Sequence, residues 1–444
     1  MNKVAKISFG KINTLAIPAI ISGIAEPLLS ITDTAIVGNI DVNATEALAA
    51  VGIAGSFISA IVWILAQTRS AISAIIAQYF GAGKIDKIVS LPAQIIAINM
   101  ALSLFIYVVT VFFIEHIFEL YNASGLILEN AVSYYKIRAL GLPLTLFVFS
   151  VFGVFRGMQN TFWPMVISLL GTGLNIALDF ILVFGIEGYI PAMNIEGAAW
   201  ASVMAQGVMS LLALLLVIRK TPFKFRLNFP FHPEIKRLLS LSFNLIVRTI
   251  ALNIALYMAN AYATKYGAKF IAAQTIAFQI WLFFAFFIDG YSSVGNIMSG
   301  KLLGQKNYLQ IWNLSKQLIS YTLVISFILS LVCFSFYRPI GRLFSHDPEV
   351  LSLFFGIFWI VIVMQPVNAI TFVFDGIFKG LAEAVTLRNT LLIATFLGFA
   401  PTLLLGDYFE LKLYGIWIAF TVWMILRGGI LLVIFHRKFL PSRS

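Results

Sequence analysis

The sequence predicts an all-α membrane protein with twelve transmembrane helices in two parallel six-helix repeats, an N-lobe and a C-lobe, around a central cavity. Three observations carry this prediction. Of 444 residues, 60% are hydrophobic and 11% charged, and the mean hydropathy is +0.94, values that no water-facing surface accommodates. Apolar runs of roughly 20 residues, the length that spans a hydrocarbon core as helix, recur twelve times, near 13–38, 48–78, 91–114, 128–155, 162–186, 195–218, 238–264, 270–299, 309–336, 350–378, 386–406 and 412–436. Sliding the chain against itself by 223 positions aligns Ala49-Ala50 with Ala272-Ala273, Gly81 with Gly304 and Pro143 with Pro366. The same shift aligns Gly153, Phe155 and Gly157 with Gly376, Phe378 and Gly380.

The first span follows Met1-Asn2-Lys3-Val4-Ala5-Lys6 without a small-residue cleavage pattern, so it reads as a retained helix. Counting spans from there puts nineteen lysines and arginines on one side, against seven on the other (Lys136, Arg138, Lys265, Lys269, Arg338, Arg342 and Lys412). The positive-inside rule then places both termini in the cytoplasm and requires an even number of spans. The net charge of +11 therefore reports orientation and contact with anionic lipid rather than nucleic acid. An even number of spans per repeat gives both halves one topology, related by an axis along the membrane normal, and two such bundles rocking about a central site provide alternating access. The expected organisation is an N-terminal lobe over 1–218, a cytoplasmic linker over 219–237 containing Pro222, Pro230 and Pro233, and a C-terminal lobe with a short tail over 238–444.

The stretch Glu26-Pro27-Leu28-Leu29-Ser30-Ile31-Thr32-Asp33 is the most informative, because it puts two carboxylates and a proline inside an apolar run. A charge at mid-bilayer costs about 2.5–3.5 kcal/mol even on the mild insertion scale, so such groups face a bundle interior or a wet cavity. Seven positions separate Glu26 from Asp33, two turns along one face. Pro27 lacks a backbone donor and is expected to act as a hinge. In the fifth run, Asn175 and Asp179 lie one turn apart beside Gly171 and Gly173. They offer hard oxygen ligands suited to Na⁺, and Ser202 in the sixth run adds a hydroxyl. The alternative is an interhelical hydrogen-bond pair that holds no ion.

The second half repeats the architecture but not these acids. Asp289 lies inside the eighth run, where it can face a cationic substrate or pair with Arg248 or Lys316. Asp375 sits near the cytoplasmic end of the tenth, closer to water, and is also a candidate for the substrate cavity. Arg69 and Arg248 read as partners for acids or helix ends, with an anionic substrate as the other possibility. Other chemistries find no motif. Gly81-Ala82-Gly83-Lys84 lacks the spacing of a nucleotide loop. Cys333 is the single cysteine, the four histidines lie at span ends or in loops, and no nucleophile elbow occurs. A catalytic role and a cofactor other than a coupling ion are therefore not expected.

These pieces resemble the MATE (multidrug and toxic compound extrusion) family, and within it the DinF-like branch. The resemblance covers nearly the whole chain. It rests on Pro27 to Gly38, Ala49-Ala50-Val51-Gly52, Phe155-Arg156-Gly157-Met158-Gln159-Asn160-Thr161 with Pro164, Asn175 with Asp179, Gly197-Ala198-Ala199, and Phe287-Ile288-Asp289-Gly290-Tyr291. It implies twelve helices in two lobes and efflux of organic cations in exchange for H⁺ or Na⁺; amphipathic substrates, a location in the inner membrane and a monomeric state are further expectations. The first-lobe cation site it implies comprises Asp33, Asn175 and Asp179, with Ser202 where the family often has Thr. Glu26 before the proline departs from the family pattern, either changing the bound ion or adding a titrating group. A flippase for lipid-linked glycans, of the same broad superfamily, is the alternative, and a central site dominated by Arg69, Arg248 and Arg427 would favour it.

Overall fold

The computed structural model describes residues 7–40, 43–121 and 123–439, without the side chains of residues 26, 27, 29–31 and 34. It is helical, with α1 (Phe9–Val37), α2 (Ala44–Gly81), α3 (Ile85–Leu120), α4 (Gly125–Gly157), α5 (Phe162–Phe184) and α6 (Asn194–Lys220) in the first half. The second half holds α7 (Glu234–Tyr266), α8 (Ala268–Gly304), α9 (Tyr308–Ser335), α10 (Pro348–Val363, continuing as Gln365–Gly380), α11 (Ala384–Tyr408) and α12 (Leu413–Phe439). Ten of these helices are long and apolar enough to cross a membrane, and the two parts of α10, bent by 51°, form an eleventh span among the described residues. With α1, whose described apolar part is Phe9–Ala25, the spans number twelve. The chain is a multi-pass membrane protein, and each apolar run of the sequence corresponds to one of these helices.

Prolines mark where the helices depart from regularity. Pro366 lies just after the bend in α10, and Pro143, its counterpart at the 223-residue shift, opens the last segment of α4. Pro401 cannot donate to Leu397, and α11 widens into a π-turn over Ala394–Phe399 immediately before it. Trp423 Nε1 on α12 donates to Thr395 Oγ1 within this widened turn at 3.0 Å, both side chains being fully buried. Thr395→Val should therefore leave a buried N–H unpaired and cost about 1–3 kcal/mol. It should lower the thermal midpoint in detergent, whereas Thr395→Ser keeps the acceptor and most of the stability.

Cα packing divides the chain into two compact units. One comprises the chain up to Ile20, Ala77–Ala82 and everything from Ser240 onward; the other comprises Ile21–Ile76 and Gly83–Leu239. Each unit packs a glycine-bearing helix directly on another helix. In the second unit, a Cβ on Gly153 would stand 2.8 Å from the Arg69 carbonyl oxygen, and one on Gly157 would stand 3.0 Å from that of Ser73. In the first, a Cβ on Gly376 would overlap the Ser292 carbonyl and one on Gly380 that of Asn296. All four glycines and all four carbonyls obey the shift of 223, so α4 lies on α2 as α10 lies on α8.

Between α6 and α7, residues 221–233 carry no helix but are pinned to the start of α3. Gln94 donates from Nε2 to the Asn228 carbonyl at 2.6 Å and accepts from the His232 N–H at 2.9 Å. The unit from Ser240 onward is filled mainly by Trp281, Phe284, Phe354, Phe358, Trp417, Phe420 and Trp423, against an alanine stripe, Ala251, Ala255, Ala259 and Ala263, on α7.

Candidate functional site

Within the unit of Ile21–Ile76 and Gly83–Leu239, α1 and α5 meet along a polar seam. Ser168, Thr172, Asn175 and Asp179 recur every three or four residues and so form one stripe on α5. Ser22 Oγ lies 3.0 Å from Ser168 Oγ, and Thr172 Oγ1 donates to the Ala25 carbonyl at 3.5 Å. Eleven residues beyond Ser22, Asp33 reaches the same stripe at Asn175 and Asp179. Small residues bring α6 close as well, since a Cβ on Gly197 would come within 2.5 Å of the Leu182 carbonyl oxygen.

Asp33 is 5% exposed, Ser202 1%, and Asn175 and Asp179 0%, so the four form one buried polar cluster in an apolar setting. Every donor of the Asn175 amide finds an acceptor when its nitrogen faces the acids, donating to Asp33 Oδ1 at 3.0 Å and to Asp179 Oδ2 at 3.2 Å. Its oxygen then accepts from the Ser202 N–H and hydroxyl, each at 3.2 Å. Ser202 Oγ also lies 3.3 Å from Asp33 Oδ2, so its single proton serves two acceptors. The Asn175 amide thus stands between the two carboxyl groups and ties them into one cluster. Asp179 Oδ1 has no partner among the described residues. Arg138 on α4 exerts its field on both acids, and it forms no ion pair with either among the described residues. Two acids this close, without a paired cation, are chemically suited to hold a proton or a small hard cation. Turning the Asn175 amide over would present its oxygen to such a cation.

The MatE family model matches residues 18–181 and 245–427. The chain belongs to the MatE family. Among its relatives, DNA damage-inducible protein F of Escherichia coli (strain K12) is 26% identical over 429 residues, covering 95% of this chain and 91% of that protein. The probable multidrug resistance protein NorM of Thermotoga maritima is 23% identical over 428 residues, covering 95% and 90%. The crystal structure of a Vibrio cholerae MATE transporter in its bent form has a TM-score of 0.88 to this chain at 19% identity, covering 96% of each. As a MatE protein, the chain is a membrane transporter rather than an enzyme.

The structure of this MatE chain brings together Asp33, Asn175, Asp179 and Ser202 and separates the remaining candidates. The backbone of α1 stays helical through Glu26 and Pro27, but their side chains lie outside the described residues. Since Pro27 carries no N–H, the Gly23 carbonyl lacks its helical donor. Asp289 on α8 is exposed and has no hydrogen bond or ion pair among the described residues.

Asp375 corrects an expectation, since it is 4% exposed rather than close to water. It is held between Arg248 on α7 and Arg427 on α12, whose Nη2 stands 3.0 Å away. Arg248 thus partners Asp375, not Asp289, and Lys316 lies over the Trp312 ring. At the shift of 223, the positions matching Asp33, Asn175, Asp179 and Ser202 are Leu256, Gly398, Thr402 and Ile425, so the C-terminal half lacks this cluster. Sequence reading missed Ser22, Ser168, Thr172 and Arg138. The first three were detectable as hydroxyls in register with Asp33 and Asn175, but Arg138 carried no local signal.

Proposed function

We propose that this MatE protein is a secondary antiporter of the cytoplasmic membrane that exports amphipathic organic cations in exchange for H⁺ or Na⁺ by alternating access. The observation that carries the reading is the buried cluster of Asp33, Asn175, Asp179 and Ser202, two acids without an ion-paired base among the described residues. The ion neutralises the pair as a unit, so the proton belongs to neither acid alone. Its arrival removes the cost of a second buried negative charge and allows the α1–α5 seam to close, while the proline-weakened turn at Gly23 to Pro27 supplies the hinge. Departure of the ion toward the cytoplasm resets the helix. Both termini are cytoplasmic in this reading, which rests on the nineteen-to-seven distribution of basic residues.

Asp289, exposed and without an ion pair among the described residues, is the counter-charge offered to a cationic substrate, and aromatic faces add about 0.5–2 kcal/mol per cation contact. The protein acts as a monomer with lipid around it. The flippase alternative required a site dominated by Arg69, Arg248 and Arg427. Asp375 lies between two of these and leaves that group a net charge of +1 rather than an arginine-dominated site, and the third lies over the Phe149 ring, which weighs against that reading.

The test is export of a fluorescent cationic dye from vesicles in which pH and Na⁺ gradients are imposed independently. The parent should follow at least one gradient, and Asp33→Asn should follow neither. Gradient-driven export unchanged in Asp33→Asn would contradict the proposal.

A further inference from the structure

The charged cluster inside the unit from Ser240 onward is unbalanced. Arg248 and Asp375 are each 4% exposed and Arg427 1%, on α7, α10 and α12. Both guanidinium groups donate to the same atom, Asp375 Oδ2. That leaves two positive charges against one negative in a buried site, where an uncompensated charge is costly to keep out of water. Each guanidinium carries five N–H donors in a fixed fork, and few of them are used. Arg248 Nε has no acceptor among the described residues. Arg427 Nη1 reaches only the Met424 sulfur, a weak acceptor, at 3.2 Å. The Arg427 guanidinium lies 4.7 Å from the Trp423 ring centre and 5.9 Å from that of Phe372, contacts that stabilise its charge without cancelling it.

The surroundings add positive charge rather than remove it. Lys379 is one turn beyond Asp375 on α10, and Arg388 donates to Asn244, one turn before Arg248, at 2.7 Å. Glu383, eight residues beyond Asp375, is paired to Lys438.

We infer that Arg248 and Arg427 form a binding site for a monovalent anionic group, either a free halide or the carboxylate of a transported compound. Asp375 crosslinks the two arginines and holds their unused N–H donors in place, and the anion completes the charge balance. This site is distinct from the cluster around Asp33 and does not depend on which ion drives transport.

The test is thermal unfolding of the purified full-length protein in detergent, with sodium chloride or sodium acetate replacing sodium isethionate at constant ionic strength. The parent midpoint should rise by about 2–5 °C and saturate. A response to chloride identifies a halide site, and a response to acetate alone a carboxylate site. Asp375→Asn removes the carboxylate shared by the two arginines and should lower the half-saturating anion concentration about tenfold or more, whereas Arg427→Gln should abolish the response. A lock built only for structure predicts the reverse, with Asp375→Asn destabilised and indifferent to the anion. If neither variant folds, the parent titration decides alone. A midpoint that ignores anion identity, or that responds equally in the parent and Arg427→Gln, overturns the inference.

Discussion

Asp179→Asn should abolish ion-driven dye export as completely as Asp33→Asn, and the double variant should be no worse than either single one. The two acids share one hydrogen-bond cluster through Asn175 and Ser202, so removing either destroys the pairing that holds the ion. Residues acting as a unit show this non-additivity. The expected loss is large, because one charge moved through 100 mV is worth about 2.3 kcal/mol and 1.4 kcal/mol is about a factor of ten. A single driven ion thus sustains a substrate gradient of roughly fifty-fold when the exported compound leaves its charge uncancelled. Ser202→Ala removes a hydroxyl but neither acid, and should weaken export only several-fold. Vesicle assays with separately imposed gradients distinguish these cases. Losses that simply add, or an Asp179→Asn protein that still follows a gradient, would show that the acids work independently.

What the sequence revealed and what it hid have physical causes. The spans were legible because lipid offers no hydrogen bonds, so every crossing segment must be a long apolar helix. Asp33 and Asp179 stood out for the same reason, as charges in places where charge is expensive, and the one-turn spacing of Asn175 and Asp179 put them on a single face. Their meeting with Asp33 was suggested by resemblance and not by spacing, because 142 positions separate Asp33 from Asn175. The pairing of Asp375 was invisible for a similar reason. Arg248 and Arg427 come from helices 127 and 52 positions away, and neither lies at a spacing that local geometry favours. Proximity to a helix end suggested that Asp375 was wet, but its burial follows from the tight seating of α10 on α8. That seating is itself encoded by single residues, the glycines at which two backbones touch.

Gly376→Ala should destabilise the fold more than Gly153→Ala, and Gly173→Ala should be neutral or stabilising. All three add the same methyl group to a helix interior, where replacing Gly by Ala gains about 0.5–1 kcal/mol if nothing obstructs it. At Gly173 no atom lies within 4 Å, so the gain should appear in full. At Gly153 the new carbon would meet the Arg69 carbonyl oxygen at 2.8 Å and the Ile72 side chain at 2.9 Å, a conflict relieved by a small shift of α2. At Gly376 the obstacle is the Ser292 carbonyl itself, which cannot rotate away because α8 holds it, so α10 must move bodily. Overpacking of this kind costs about 1–3 kcal/mol or more, and here it also strains the adjacent Asp375 and its two arginines. Thermal midpoints of the three purified variants should therefore fall in the order Gly173→Ala, Gly153→Ala, Gly376→Ala from highest to lowest. Equal midpoints would mean that α8 and α10 have slack between them, in which case close helix contact could not account for the burial of Asp375.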